Sequence, residues 1–161
     1  MEKKNIVDAL KNEFPDKVKE IVDPTGDIVF TFESEALLEI VQFLRKKPFE
    51  YAMLLDLTCV DYKGESPRFE MVYHFLSLIS NTRIRLKTRL PEKGPKIESL
   101  ASIWRNANWL EREVFDMFGI HFDNHPYLRR LFMWDGFEGY PLRKEYPLRK
   151  RQIHPRLSKQ K

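Results

Sequence analysis

The chain has 161 residues, 42% of them hydrophobic, which excludes a wholly disordered polymer and suffices for one domain with its own core. Its net charge of +4 is uneven, because residues 141–161 carry +7 and leave −3 for residues 1–140. The single cysteine, Cys59, excludes an intrachain disulfide and a self-contained four-cysteine zinc or iron–sulfur site, no apolar run approaches the ~20 residues of a membrane helix, and the N-terminus lacks the apolar core of a secretory signal.

Residues 3–14 place Ile6, Val7, Leu10 and Phe14 at helical spacing, predicting a short amphipathic helix. Asp23-Pro24-Thr25-Gly26 signals a turn between short strands near 18–22 and 27–32. Ser34 is the expected cap of a second helix with Leu37, Ile40, Val41 and Leu44 on one stripe, bounded by Pro48. The period then changes to two. Residues 51–60 read as a mostly buried strand that takes in Cys59 as core filler. Residues 69–76 alternate through Phe69, Met71, Tyr73 and Phe75, and residues 83–90 oppose Ile84, Leu86, Thr88 and Leu90 to Arg83, Arg85, Lys87 and Arg89. With a connection over Ser77–Asn81, these last two predict an antiparallel pair with one wet face. The cationic face reads first as a solvated sheet surface. It lacks the interleaved aromatics of a nucleic-acid platform, although nucleic-acid and protein contacts stay open.

Residues 98–118 read as helical, broken near Asn106-Ala107-Asn108, with Gly119 as C-cap. Leu110, Val114, Met117 and Phe118 share one face, while Glu111, Arg112, Glu113 and Asp116 lie largely elsewhere, with Arg112 in i,i+4 reach of Asp116. Glu113 and Asp116 are spaced to face each other. No nucleophile or phosphate-binding glycine loop accompanies them, so a surface helix outweighs a catalytic carboxylate pair. His121 and His125 have the spacing of helical metal ligands, but they follow a cap glycine and run into Pro126, which favours hydrogen-bonding roles.

Residues 119–161 lack sustained periodicity yet carry bulky apolar and aromatic side chains from Phe122 to Tyr146. True disorder is poor in aromatics, so the expectation is an extended arm buried against another protein. Tyr-Pro-Leu-Arg-Lys occurs twice within it, six residues apart, at 140–144 and 146–150. In an extended conformation the copies face the same way, roughly 20 Å apart. Pro141 and Pro147 stiffen them, and Arg143 and Arg149 are expected to meet acids on a partner. The predicted class is α+β: a mostly antiparallel sheet with packed helices as a head domain over residues 1–118, then a long extended, basic, aromatic-rich, partner-binding arm over residues 119–161.

The run ANWLEREVFDMFGIHFDNHPYLRRLFMWDGFEGYPLRKEYPL resembles the signature of the C-type subunit family of NADH-quinone oxidoreductases, the so-called 30-kDa subunit of respiratory complex I, with relatives in energy-converting membrane-bound hydrogenases. FEMVYHFLSL, RIRLKTRLP and KIESLASIW resemble the same family's sheet and lead-in helix, and the likeness covers about residues 50–148. The family's ERE…D…FGI element falls on Glu111, Arg112, Glu113, Asp116, Phe118, Gly119 and Ile120, its HP..RR element on His125, Pro126, Arg129 and Arg130, and its PLRK element on Pro141, Leu142, Arg143 and Lys144. Glu145 stands where the family commonly has Asp and keeps the charge.

The resemblance implies a non-catalytic subunit of a proton-translocating NADH-quinone oxidoreductase. Such a chain binds no redox centre itself, while NADH, FMN, iron–sulfur clusters and quinone are handled by other subunits. Implied partners are the homologue of the quinone-site (D-type) subunit and the iron–sulfur subunits, which hold the chain peripherally at the cytoplasmic face of the cell membrane. The related hydrogenase, a complex I-like enzyme fed by another donor, and a basic nucleic-acid-binding module are the alternatives.

Overall fold

The computed structural model describes residues 3–24 and 26–152; Thr25 of the turn and residues 153–161 of the basic tail lie outside them. Helix α1 (Lys3–Glu13) leads into strands β1 (Val18–Val22) and β2 (Ile28–Phe32). Ser34 is not a side-chain cap; it opens a 3₁₀ turn, Ser34–Ala36, that runs into α2 (Leu37–Arg45). Three long strands follow, β3 (Met53–Asp61), β4 (Phe69–Ser77) and β5 (Thr82–Leu90). They join the first two in one five-stranded sheet of order β1-β2-β5-β4-β3, antiparallel except where β2 lies beside β5. Short strands β6 (Lys96–Glu98) and β7 (His121–Asp123) pair in parallel, with α3 (Ala107–Phe118) between them in sequence.

The alternation in β5 has the expected consequence. Ile84, Leu86, Thr88 and Leu90 are buried, and α2 contributes Leu37, Ile40, Val41 and Leu44 to the same core. Opposite them, the cationic face is largely neutralised by this chain's own acids. Arg85 pairs with Asp23 and Asp27, Lys87 with Glu70, and Arg89 with Glu65 and Glu70. It is a salt-bridged sheet surface. Strand β3 is more exposed than expected, alternating between the core and solvent with a register shift between Leu54 and Asp56, because it is a sheet edge. That edge is partly covered: Trp104 Nε1 donates to Ala52 O and Asn106 Nδ2 to Leu54 O, both at 2.8 Å.

Those bonds explain one departure. Residues 99–106, expected to begin the helix, form turns instead, and the Asn106 side chain serves the sheet rather than capping α3. Cys59 is buried, and burial followed by the nearby Asp61 charge pushes its thiol up to about 12, so it acts as core filler rather than a reactive group. Among the described residues, no helix is long and apolar enough to cross a membrane.

Tyr73 lies wholly inside, with its ring stacked 6.4 Å from Phe75. Its hydroxyl has no hydrogen-bond partner among the described residues. A buried hydroxyl left unpaired costs about 1–3 kcal/mol. Tyr73→Phe is therefore expected to raise stability by about 1 kcal/mol in urea denaturation. A lower midpoint would mean that the hydroxyl has found a partner.

Candidate functional site

Helix α3 buries charge as well as apolar surface. Glu111, Arg112 and Asp116 are all buried beside Val114, Met117 and Phe118, and only Glu113 of the expected charged set is exposed. The cause is tertiary: the chain after β7 folds back over the helix in successive turns, with no helix or strand among its described residues. Each buried charge then has a task.

Asp116 gathers the returning chain. Its Oδ2 accepts the backbone N–H groups of Leu131, Phe132 and Met133 at 3.0, 2.7 and 2.9 Å, and Arg130 Nη1 donates to Oδ1 at 2.7 Å. Burial alone would raise this carboxyl; the Met133 N–H, the Arg130 guanidinium and the N–H groups of Phe132 and Leu131 reverse the effect and hold it below the usual range. The anticipated Arg112–Asp116 pair is not formed, because Arg130 occupies the carboxylate. Arg112 turns away, donating from Nε to Arg129 O and from Nη2 to Arg130 O. The expected facing of Glu113 and Asp116 is likewise not formed, since one points to solvent and the other is enclosed.

Glu111 binds the turn before the helix. Ser99 Oγ donates to Oε2 and Leu100 N–H to Oε1, both at 2.6 Å. Burial outweighs these bonds and pushes the carboxyl up to about 7. His125 Nε2 lies 3.8 Å from Glu111 Oε2 and 3.2 Å from Asn108 O, while Nδ1 accepts the Tyr127 N–H at 3.0 Å. These contacts fit a neutral ring protonated on Nε2, and burial lowers its pKa. His121 is exposed on β7, so the two histidines are not brought together. Among the described residues, no group of three or more His, Cys, Asp or Glu is placed to hold a metal ion.

The helix ends at Gly119, with φ +72°. A Cβ there would meet the Tyr140 ring at 2.4 Å, so glycine is required by both conformation and space. The first pentad then serves the open end of α3. Leu142 N–H donates to Met117 O at 3.1 Å and Arg143 Nε to Phe118 O at 2.6 Å. The Arg143 guanidinium also covers the rings of Phe69 and Tyr140. A cation at a helix C-terminus satisfies orphan carbonyls and complements the dipole. Beyond it, Lys144 N–H donates to Asp61 Oδ2 at 2.8 Å, and Glu145 pairs with Arg68. Arg68 makes a fork to both oxygens of Asp61 at 2.7 Å and also meets Glu92. Sequence reasoning missed Asp61, Arg68 and Glu92. No local spacing announces them, because Arg68 and Glu145 are separated by 77 residues.

The two pentads therefore differ. Both form turns, closed by Arg143 N–H to Tyr140 O and by Lys150 N–H to Pro147 O, so the matched extended prongs are not formed. The first is docked through its backbone and Arg143, with Pro141 half-buried. The second presents Pro147, Leu148 and Arg149 to solvent. Tyr146 links them, with its ring 5.9 Å from Phe137 and its hydroxyl accepting from Gln152 Nε2. Exposed on the outer surface are Pro126, Tyr127, Arg129, Phe132, Leu142, Lys144 and Glu145.

The sequence matches the family described as "Respiratory-chain NADH dehydrogenase, 30 Kd subunit" over residues 30–152. It is 44% identical over 137 residues to a C-type subunit of the NADH-quinone oxidoreductase of Rhizobium etli, covering 84% of this chain and 73% of that one. It is 42% identical over 147 residues to the C-type subunit of the NADH-quinone oxidoreductase of Citrifermentans bemidjiense, covering 91% of each. Among solved structures, a trypsin-resistant fragment (1-134) of Nqo5 superposes with a TM-score of 0.68 at 25% identity, over 78% of this chain and 98% of the fragment. A chain of the archaeal membrane-bound sulfane sulfur reductase shares the fold, with a TM-score of 0.76 at 23% identity, over 90% of this chain and 85% of that one.

Two outcomes follow from the buried acids. Asp116→Asn removes the charge that four donors share, with an expected cost of about 3 kcal/mol and faster proteolysis within residues 129–139. Urea denaturation and timed digestion measure both. For Glu111, the folded carboxyl titrates near about 7 against an ordinary 4.5. The folded state thus holds the extra proton between those values, and its contribution is full below 4.5 and lost as pH rises through about 7. The stability of Glu111→Gln relative to the unaltered chain should therefore rise with pH across that window. A flat difference would place the carboxyl's titration elsewhere.

Proposed function

The chain belongs to the 30-kDa subunit family of respiratory-chain NADH dehydrogenases, and from that premise we propose that it is a non-catalytic, peripheral scaffold subunit of a proton-translocating NADH-quinone oxidoreductase. Its task is to hold other subunits in register while they carry electrons from NADH to quinone. The proposed neighbours are the homologue of the quinone-site subunit and the iron–sulfur subunits of the peripheral arm. They attach the chain indirectly to the cytoplasmic face of the cell membrane, and FMN, clusters and quinone reside in them.

The observation that carries the scaffold role is the asymmetry of the C-terminal chain. Its polar groups are spent inward on α3 and on Asp61, whereas Phe132, Leu142 and the fully exposed Leu148 face outward. Exposed large apolar side chains on a conformationally fixed segment are the composition of a protein contact. The division into a head over residues 1–118 and a partner-binding arm over residues 119–161 is a division of labour. Residues from Glu111 to Glu145 anchor the arm, and the second pentad with Pro147 and Arg149 reaches outward.

A second reading keeps the scaffold and changes the donor. The same fold serves in a chain of a sulfane sulfur reductase, so the fold does not select NADH, and the alternative is the equivalent subunit of a hydrogenase or of a complex I-like enzyme with another donor. A nucleic-acid module is disfavoured because the cationic sheet face is paired with acids.

Leu148→Asp combined with Arg149→Glu is the direct test, since both positions are exposed and the fold does not use them. The expected outcome is loss of copurification with the other subunits from gently solubilised membranes, with the urea midpoint of the isolated chain unchanged. Normal recovery of the complex would exclude the second pentad from the interface.

A further inference from the structure

Arg112 carries a charge that the described residues do not neutralise. Only 5% of the residue is exposed, and its hydrogen bonds go to two neutral acceptors, Arg129 O at 3.1 Å and Arg130 O at 3.2 Å. Among the described residues no carboxylate forms an ion pair with it. Other covered arginines are different: Arg68 meets Asp61, Glu92 and Glu145, and Arg130 meets Asp116. The acid one turn further along α3 is already taken by Arg130. A covered cation without an anion is costly, and a carboxylate brought from outside relieves that cost.

The surroundings suit such an arrival. The Arg112 guanidinium carbon lies 4.9 Å from the Trp109 ring centroid and 5.8 Å from that of Tyr127, and Arg129 stacks on Tyr127 at 4.3 Å. Both rings remain largely open, at 59% and 54% exposed. Tyrosine, tryptophan and arginine packed side by side have the composition of an interface hot spot. The group is held in place by the Tyr127 N–H bond to His125 and by the Arg112 bonds to the backbone. Arg105 adds a second exposed cation and lines a shallow hollow together with Trp109. Glu113, exposed one turn beyond Trp109, puts one negative charge on the rim.

We propose that Trp109, Arg112, Tyr127 and Arg129 form a docking surface for an acidic segment of a partner protein. An aspartate or glutamate of that segment pairs with the exposed Arg129 and lies within the field of the covered Arg112 beneath it, and its neighbouring apolar atoms cover the two rings. The surface lies on α3 and the turn after β7, apart from the second pentad. It rests on the assembly reading above and adds to it a second contact of stated chemistry.

The test uses the full chain in the cell that assembles its complex. A p-benzoylphenylalanine at position 127 is photolysed and the attached peptide sequenced. In parallel, Trp109→Ala and Arg129→Glu, both at exposed positions, are scored for recovery of the complex and for an unchanged urea midpoint. The expected result is attachment to a segment of another subunit containing Asp or Glu, with about a tenfold or greater loss of recovery for the paired variant. Reversing the partner's acid to lysine is expected to restore assembly with Arg129→Glu. Attachment to nucleic acid or lipid would overturn the proposal. So would unimpaired assembly of the variants without attachment, and in that case copurification of the unaltered chain leaves the assembly reading standing. An unaltered chain that recovers no other subunit would overturn both.

Discussion

The carboxylate of Asp116 is the point on which the C-terminal third of this protein depends. It has no exposed surface, sits near the end of α3, and accepts three consecutive backbone N–H groups and a guanidinium. Three successive N–H groups converging on one oxygen require a tight, specific backbone path over residues 131–133, a nest for an anion. A chain segment with no helix or strand has no ladder to satisfy its polar groups, so a side chain must do it. Arg130 extends the effect from the same carboxylate, donating through Nη2 to Phe137 O and Gly139 O and fixing the next bend.

The second anchor works by the same chemistry from the sheet. Asp61 ends β3 and Arg68 precedes β4. Their forked pair is almost fully covered, and Arg68's hydrogen bond holds Asp61 below the ordinary carboxylate range. Lys144 N–H and Glu145 then complete the cluster from the arm. Buried ion pairs are weak evidence for net stability, because desolvation offsets most of the attraction. What they supply is discrimination between arrangements. An arm shifted by one residue would leave Asp61, Arg68 and Asp116 covered and mismatched, which costs far more than a lost surface contact. The same constraint explains why Gly119 tolerates no side chain, as Tyr140 closes directly over it.

A segment held so firmly on its inner side leaves side chains exposed on its outer side. Phe132, Leu142, Tyr127 and Leu148 are presented on a backbone whose ordering cost was met during folding, so a partner docking there, as proposed above, would not bear it again. This is a physical basis for scaffold function in a chain with one inert thiol and with His121 and His125 held apart.

Much of the five-stranded sheet and its helices was legible from pattern. The alternation in residues 83–90, the α2 stripe, the turn near Asp23 and the Gly119 cap reappear, because period and local backbone preference depend on near neighbours; in β4 Phe69, Met71, Tyr73 and Phe75 are in the core as expected, but Glu70 and Val72 on the opposite side are buried as well. The α3 apolar face was legible for the same reason. Residues 99–106 were not, since their helical composition yields to Trp104 and Asn106 bonding the β3 edge. The sequence by itself determined α1, α2, the apolar face of α3 and the five strands of the main sheet, though not β6 or β7, together with the basic charge of the tail and the family motifs of the C-terminal third. Only the tertiary structure decided what the motif charges do. Asp116 binds Arg130 rather than Arg112, Arg143 caps α3, and Arg68 meets Glu145. Each of these partners is chosen by a fold-back over 14 to 77 residues, a distance at which sequence spacing conveys nothing about direction or burial.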